Sequence, residues 1–590
     1  MSVAGALAHQ VRRRIVLILV LTMLFVFGGR LVWVQAVQGA TLAREAREDR
    51  TRTVTVDAPR GDIVDADGEI LATSVERYNV GVNQQLVRTY ERTDPDTGQV
   101  LATGAAAAAE VLAPLLGRDK AELGAKMVGD STFVYIATGL TPEEWREINE
   151  LGIPGVEPER TTERIYPNGT TAGNIVGYVG RDRHGLGGLE LSMDEVLTGE
   201  DGSITVEIGG TGEVIPTGHR EEVPARPGHT VHTSIDRDLQ YVAQESIDAA
   251  VEQFSAPWGA VVVQEIDTGR VLALADSNSV DPGNYQAWAP EDRGSRAVSS
   301  PYEPGSTGKL PTFAIALEQG VVEPATPITA PDTIEMPNGQ VFHDNSPHET
   351  LDLTVAGALQ MSSNTATVQI GDMVEDSDRY HLLREFGFGE RTGIRLPGET
   401  PGVVHPYKDW DGRTRYATMF GQGLSVSLLQ NTNMVATIGN QGVRIDPRII
   451  DGTTDGEGAY TPTEPQSGKQ VLDEDAADTL LQMMETVVQE GGTGPQGAVP
   501  GYRVAAKTGT AEIPDAAGGL SGRLGSYVGV APAEDPKVAV GVVVYRGSGP
   551  SYGGTVAAPT FSEVMGFALR DMGVPPSTEP VPDLPLETQG

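Results

Sequence analysis

The stretch IVLILVLTMLFVFGGRLVWVQ, Ile15 to Gln35, decides where the rest of the chain can fold. It is strongly apolar and broken only by Arg30 near its far end. Its length reaches the ~20 residues that a helix needs to cross a hydrocarbon layer. Arg30 can snorkel to the interface, and Trp33 suits an aromatic belt. Arg12, Arg13 and Arg14 precede it, so the positive-inside rule keeps residues 1–14 in the cytoplasm, although Arg44, Arg47, Arg50 and Arg52 weaken the asymmetry. The rival reading is a cleaved signal peptide ending near Val34-Gln35-Ala36, a segment in which Arg30 and Trp33 would sit badly. A single-pass plasma-membrane protein is expected, with a transmembrane helix over 15–35 and everything from about Ala36 outside the cell.

Composition limits what that exported part can do. A net charge of -38 argues against nucleic acid, because phosphate backbones require clustered Lys and Arg. With no cysteine, disulfides, thiolate catalysis and Cys-ligated zinc are excluded. The nine histidines form no H-E-x-x-H, and FHDNSPHE, with His343 and His348, reads as a polar loop rather than a metal site. No metal and no cofactor are expected.

The 590 residues suffice for two or more domains. Two zones part near EEVPARPGHTVHTSID, where Pro224 and Pro227 punctuate the chain. The first, residues 36–225, reads as short strands and turns, with a hairpin at Asp67-Gly68. The second, residues 228–572, alternates helical and strand patterns. DLQYVAQESIDAAVEQF predicts an amphipathic helix, and GAVVVQEIDTGRVLALA predicts two buried strands about a Thr268-Gly269 turn. RVAAKTGTAEI, GSYVGVAPA and KVAVGVVVYRG predict successive strands of an antiparallel sheet. Residues 573–590, Pro-rich and acidic, read as a disordered tail.

Three short motifs fall in order in the second zone. In EPGSTGKL, Pro304 and Gly305 break the chain before Ser306, which opens a helical pattern and so has Lys309 on its own face. Alone, this pair reads first as an N-cap serine followed by a surface lysine. Ser362-Ser363-Asn364 and Lys507-Thr508-Gly509-Thr510 follow, and Lys507 alone reads as an exposed strand lysine beside a glycine bulge. Each motif occurs once, and only seven of the 43 basic residues are lysines, so chance coincidence is improbable. Chemistry supplies the connection. A lysine accepts a serine's proton only when neutral, which burial and a neighbouring cation promote. Lys507 can supply that field, Ser362 can relay a proton, and Asn364 can hold the lysine and a substrate amide. The short residues of KTGT let a strand run close to an extended substrate.

These motifs, in this order, resemble the S-x-x-K, S-x-N and K-T-G signatures of the penicillin-binding and serine β-lactamase superfamily. The membrane segment and first zone narrow the resemblance to class B penicillin-binding proteins, monofunctional peptidoglycan D,D-transpeptidases. APRGDIVDADGEILATS, RIYPNG at Arg164 to Gly169 and GLGGLE at Gly185 to Glu190 are similar to the three motifs of that class's pedestal, or dimerisation, domain. TSIDRDLQ, TGRVLALA and GQGLSVSLLQ are similar to its transpeptidase domain. The resemblance implies an α+β chain: an N-terminal membrane helix, a β-rich pedestal, then a transpeptidase domain with antiparallel sheet and helices.

It also implies roles. Ser306 would be the acylated nucleophile and Lys309 its general base, with Ser362 and Asn364 relaying protons and positioning. Lys507, Thr508 and Gly509 would form the substrate strand, and the N–H groups of Ser306 and Thr510 the oxyanion hole. Gly308 departs from the family, which has a bulky apolar residue there, and is expected to loosen packing behind the nucleophile. Arg60, Arg164 and Glu190, one from each pedestal motif, are expected to meet in a charge-assisted network. The implied function is crosslinking of stem peptides in septal cell-wall synthesis of an actinobacterial-like cell. The implied partners are stem pentapeptides of lipid II-derived strands, β-lactam antibiotics, a SEDS-family glycosyltransferase and other divisome membrane proteins. An elongation-type enzyme, a catalytically silent divisome scaffold and a β-lactamase or β-lactam sensor are the alternatives.

Overall fold

The computed structural model describes residues 3–38, 41, 44, 50–210, 213–513, 522–546 and 552–588. Val3–Val32 forms one helix that widens into a π-turn over Trp33–Val37. The stretch His9–Val37 contains an 18-residue window with a mean hydropathy of 2.6 and is long and apolar enough to cross a membrane. Its side chains are left uncovered, as a lipid-facing anchor requires; Phe25 is 82% exposed.

The chain divides into two compact units that interleave in sequence. The smaller comprises Met1–Pro59, Val75–Glu163 and Glu200–Arg226. Thr51–Val56, Gly202–Glu207 and Arg220–Val223 form an antiparallel sheet in it. It holds more helix than its reading as strands and turns anticipates: Gly104–Leu116, Lys120–Lys126 and Pro142–Glu150. The alanine run of Gly104–Leu116 favours helix and buries Ala108 and Leu112 against Val80, Val82, Leu123 and Ile136.

The larger unit comprises Arg60–Ser74, Arg164–Gly199 and Pro227–Gly590. Two segments of the first sequence zone thus belong with the second. Ile63–Val64 pairs in parallel with the strand Thr230–Thr233, and Ile63, Leu71, Ile175 and Leu189 enter the same core as Val231 and Leu274. Arg60, Arg164 and Glu190 meet inside this unit as expected. Glu190, with 0% exposure, accepts from Arg60 Nε at 2.5 Å and Arg164 Nε at 2.7 Å, and Arg60 also reaches Asp194 at 2.7 Å.

A five-stranded antiparallel sheet organises this unit in the order Val271–Asp276, Trp258–Glu265, Val538–Arg546, Gly522–Ala531, Ala505–Ile513. Its period-two alternation divides the side chains between two cores. Val261, Val263, Val540 and Val542 pack under the helices Arg237–Phe254 and Ala558–Asp571, while Ala260, Val262 and Ala539 face Phe313 and Met434. Helices cover both faces, so the strands read as continuous apolar runs although the sheet is antiparallel.

The C-terminal stretch departs from the expected disorder. Over Val581–Thr588 exposed and half-buried residues alternate, and Leu584 and Leu586 pack on the larger core. Composition alone reads such a segment as unfoldable, yet its prolines leave it little conformational freedom to lose, and alternate apolar residues find a ready surface.

Candidate active site

Gly305–Gly308 forms a tight 3-10 turn that runs directly into the buried helix Lys309–Glu318. Ser306 is therefore not a helix cap: no side-chain cap bond is made at either start, and its half-buried side chain lines a cleft of about 460 Å³. Pro311 is tolerated because a helix's first N–H groups have no intrahelical partner. The turn can be this tight only where side chains are missing. At Gly305, φ +54, a Cβ would lie 2.4 Å from the Thr510 carbonyl oxygen. At Gly308 a Cβ would lie 2.5 Å from Gly421 Cα. The expectation that Gly308 loosens the packing is thus corrected: the backbone of Gly421 fills the place a side chain would take.

Lys309 and Lys507 arrive from different elements and are both fully buried. They converge on Ser362. Lys309 Nζ donates to the Ser362 carbonyl oxygen and, at 3.1 Å, to its hydroxyl; Lys507 Nζ donates to the same hydroxyl at 2.9 Å and to the Thr508 carbonyl at 3.2 Å. Ser362 meets them from a left-handed backbone, φ +58, a conformation costing a non-glycine residue about 1–3 kcal/mol. Burial disfavours both charged amines. It pulls Lys309 down to about 7, a fall that the Asp344 carboxylate opposes. Burial and then the neighbouring Lys309 push Lys507 well below the usual lysine range. Two ammonium ions cannot share one hydroxyl out of water without such a shift.

The strand Ala505–Ile513 completes one wall. A Cβ on Gly509 would lie 2.7 Å from the Pro304 carbonyl, so this strand and the nucleophile's turn touch along their backbones. Thr508, Gly509 and Thr510 line the cleft with Ser306 and Ser362, and Thr508 shares a 2.9 Å hydroxyl contact with Thr493. Asn364 stands apart from the lysines: its amide donates to the His343 carbonyl at 3.0 Å.

Asp344 and His348, read from the sequence only as parts of a polar loop, line the same cleft. Asp344 accepts from the Ser363 hydroxyl at 2.8 Å and from the N–H groups of Asn364 and Thr365, and contacts His348 Nε2 at 3.1 Å. Among the described residues no group of three or more His, Cys, Asp or Glu could hold a metal ion. The only signal was FHDNSPHE itself, whose place beside Ser363 depends on tertiary packing that local sequence does not show. Tyr552, Gly553 and Gly554 also line the cleft.

Comparisons with known proteins identify the family. Residues 259–566 match the family model of the penicillin binding protein transpeptidase domain, and residues 55–233 that of the penicillin-binding protein dimerisation domain. The chain is 35% identical to penicillin-binding protein PbpB of Mycolicibacterium smegmatis, over 96% of this chain and 91% of that protein. It is 31% identical to peptidoglycan D,D-transpeptidase FtsI of Escherichia coli, over 93% and 90%. A crystal structure of a peptidoglycan synthetase from Bifidobacterium adolescentis covers 91% of this chain and all of that one, at 35% identity and a TM-score of 0.74. Penicillin binding protein 3 of Mycobacterium tuberculosis, solved with aztreonam, covers the same shares at 30% identity and a TM-score of 0.69. A dimerisation domain joined to a transpeptidase domain, behind an apolar helix and around two lysines that meet on one serine, places this chain in the class B penicillin-binding proteins.

Proposed function

We propose that this chain is a serine peptidoglycan D,D-transpeptidase of septal cell-wall synthesis, anchored by its N-terminal helix with the catalytic unit outside the cell. The observation that carries the reading is the convergence of buried Lys309 and Lys507 on the Ser362 hydroxyl in the cleft that Ser306 lines. Ser306 Oγ attacks the carbonyl between the last two D-alanines of a stem pentapeptide, and neutral Lys309 takes its proton. The N–H groups of Ser306 and Thr510 hold the oxyanion that forms. As the intermediate collapses, the C–N bond breaks and the departing D-Ala amine takes a proton relayed through Ser362. The acceptor amine of a second stem then attacks the ester, passes its proton to the same base and frees Ser306. Lys507 to Thr510 hold the donor stem along their strand, and Asn364, freed from the His343 carbonyl, can turn to the stem's amides. β-Lactams acylate the same serine.

The septal assignment follows the resemblance, supported by likeness along nearly the whole chain to the proteins named PbpB and FtsI. In that setting the membrane helix is where a SEDS-family glycosyltransferase and other divisome membrane proteins would meet the chain. Two measurements test the reading. Given a synthetic stem pentapeptide and an amine acceptor, the purified chain should release D-Ala and form the joined peptide in equal amounts; D-Ala without joined product would mark a hydrolase, and neither would mark a scaffold. A fluorescent fusion should gather at division sites, and even placement along the side wall would favour the elongation-type enzyme.

A further inference from the structure

The C-terminal stretch is tied to the molecule at two places, and each lies just ahead of an active-site motif. At the first, Tyr502 Oη donates to the Val574 carbonyl at 2.7 Å. There Ser577 N–H donates to the Gly501 carbonyl at 2.9 Å, and the Ser577 hydroxyl accepts from Arg503 N–H at 2.9 Å. Gly501 to Arg503 lead straight into the strand Ala505–Ile513 that carries Lys507. At the second place the stretch adds to the open edge of the strand Leu351–Thr354, whose other edge is paired with Pro327–Ala330. Glu587 stands opposite Leu353 in an antiparallel bridge, Thr354 N–H donates to the Leu586 carbonyl at 3.1 Å, and Thr588 N–H donates to the Asp352 carbonyl at 3.1 Å.

Thr354 is also the cap of the next helix, Val355–Gln360. Its hydroxyl accepts from Gly357 N–H at 3.0 Å and donates to the Pro585 carbonyl at 2.6 Å. Gly357 has no room for a side chain there, since a Cβ would lie 1.9 Å from the Leu586 oxygen. That helix ends two residues before Ser362. Between the two ties the chain carries Pro580 and Pro582, which favour an extended, stiff backbone. A stiff segment fixed at both ends couples what it is fixed to.

Resting on the active-site reading above, we propose that residues Val574–Thr588 are a strap that holds the Ser362 turn and the Lys507 strand at the spacing acylation requires. Ser362 must meet two lysines from a left-handed backbone, so its support has to come from outside the motif. The strap supplies a tie at the entrance to each element. Its residues touch no substrate and act by positioning.

The test uses the full-length chain in detergent with a fluorescent penicillin, separating the binding constant from the acylation rate constant. A chain ending at Gly573 should bind the drug with little change but acylate roughly 10- to 100-fold more slowly, the scale expected of a small misplacement of reacting groups. A synthetic peptide of residues 574–590 should restore the rate. Should the shortened chain not fold, the full-length Leu584→Ser/Leu586→Ser variant carries the test, with Leu584→Met/Leu586→Met expected to acylate as the unaltered chain does. Wild-type acylation by the folded fraction of the shortened chain or of the serine variant would overturn the strap, even with a lowered melting temperature. Failure of the unaltered chain to acylate would instead refute the reading of the site, and the strap with it.

Discussion

Lys309→Ala should slow acylation of Ser306 by roughly 10²–10⁴-fold, the range that a positioned general base contributes. The expectation rests on burial. With no solvent around it, the amine is pulled down to about 7, so near neutrality a large share of Lys309 is the free base that can take the serine's proton. The sign follows. Below this value the amine is protonated and cannot accept, so the acylation rate should fall as pH drops through about 7 and level off above it. A rate that stays flat between about pH 5 and 9, or a near wild-type rate in Lys309→Ala, would assign the base elsewhere. Burial, and then the neighbouring Lys309, hold Lys507 well below the usual lysine range.

Glu190→Ala should have the largest effect on stability. Glu190 is fully buried and its two carboxylate oxygens take Arg60 on one side and Arg164 on the other, with 7% and 5% of those side chains exposed. Truncating it leaves two guanidinium groups facing each other out of water, with Asp194 still paired to Arg60. Removing one partner of a buried pair costs about 3–5 kcal/mol, far more than an exposed pair contributes. The melting temperature should drop by roughly 5 °C or more, while the folded fraction still acylates at its normal rate, because the network touches none of the residues around Ser306. A melting temperature within a degree or so of the unaltered chain would show the network to be dispensable.

What the sequence revealed of this molecule followed from how local each signal is. The central sheet was legible because strands such as VAVGVVVYR are runs of β-branched residues broken by turn residues, and that pattern needs no partner to be recognised. The Ser306, Ser362 and Lys507 motifs were legible because lysine is scarce and each motif occurs once. Their chemical connection was legible too, but not the geometry that makes it. That both lysines reach one hydroxyl depends on the left-handed turn at Ser362 and on Gly421 lying where a side chain at 308 would be. Asp344 escaped notice because an aspartate in a polar loop looks alike whether it faces water or caps a catalytic helix. Asn364 was expected to hold the lysine and a substrate amide, whereas its amide donates to the His343 carbonyl. The assignment of Arg60–Ser74 and Arg164–Gly199 to the larger unit depends on parallel pairing and a buried ion network between residues more than a hundred positions apart. The tail misled for the opposite reason: its composition is that of a disordered segment, and its order comes from an open strand edge far away in the chain.

The central claim is that Ser306 carries the acyl group, and mass spectrometry of the penicillin-treated chain tests it most directly. The account predicts one drug moiety per chain, found after digestion on the peptide that contains Ser306, and none on a Ser306→Ala chain that melts like the unaltered protein. A drug adduct on any other residue, or one that persists in the folded Ser306→Ala chain, would contradict it.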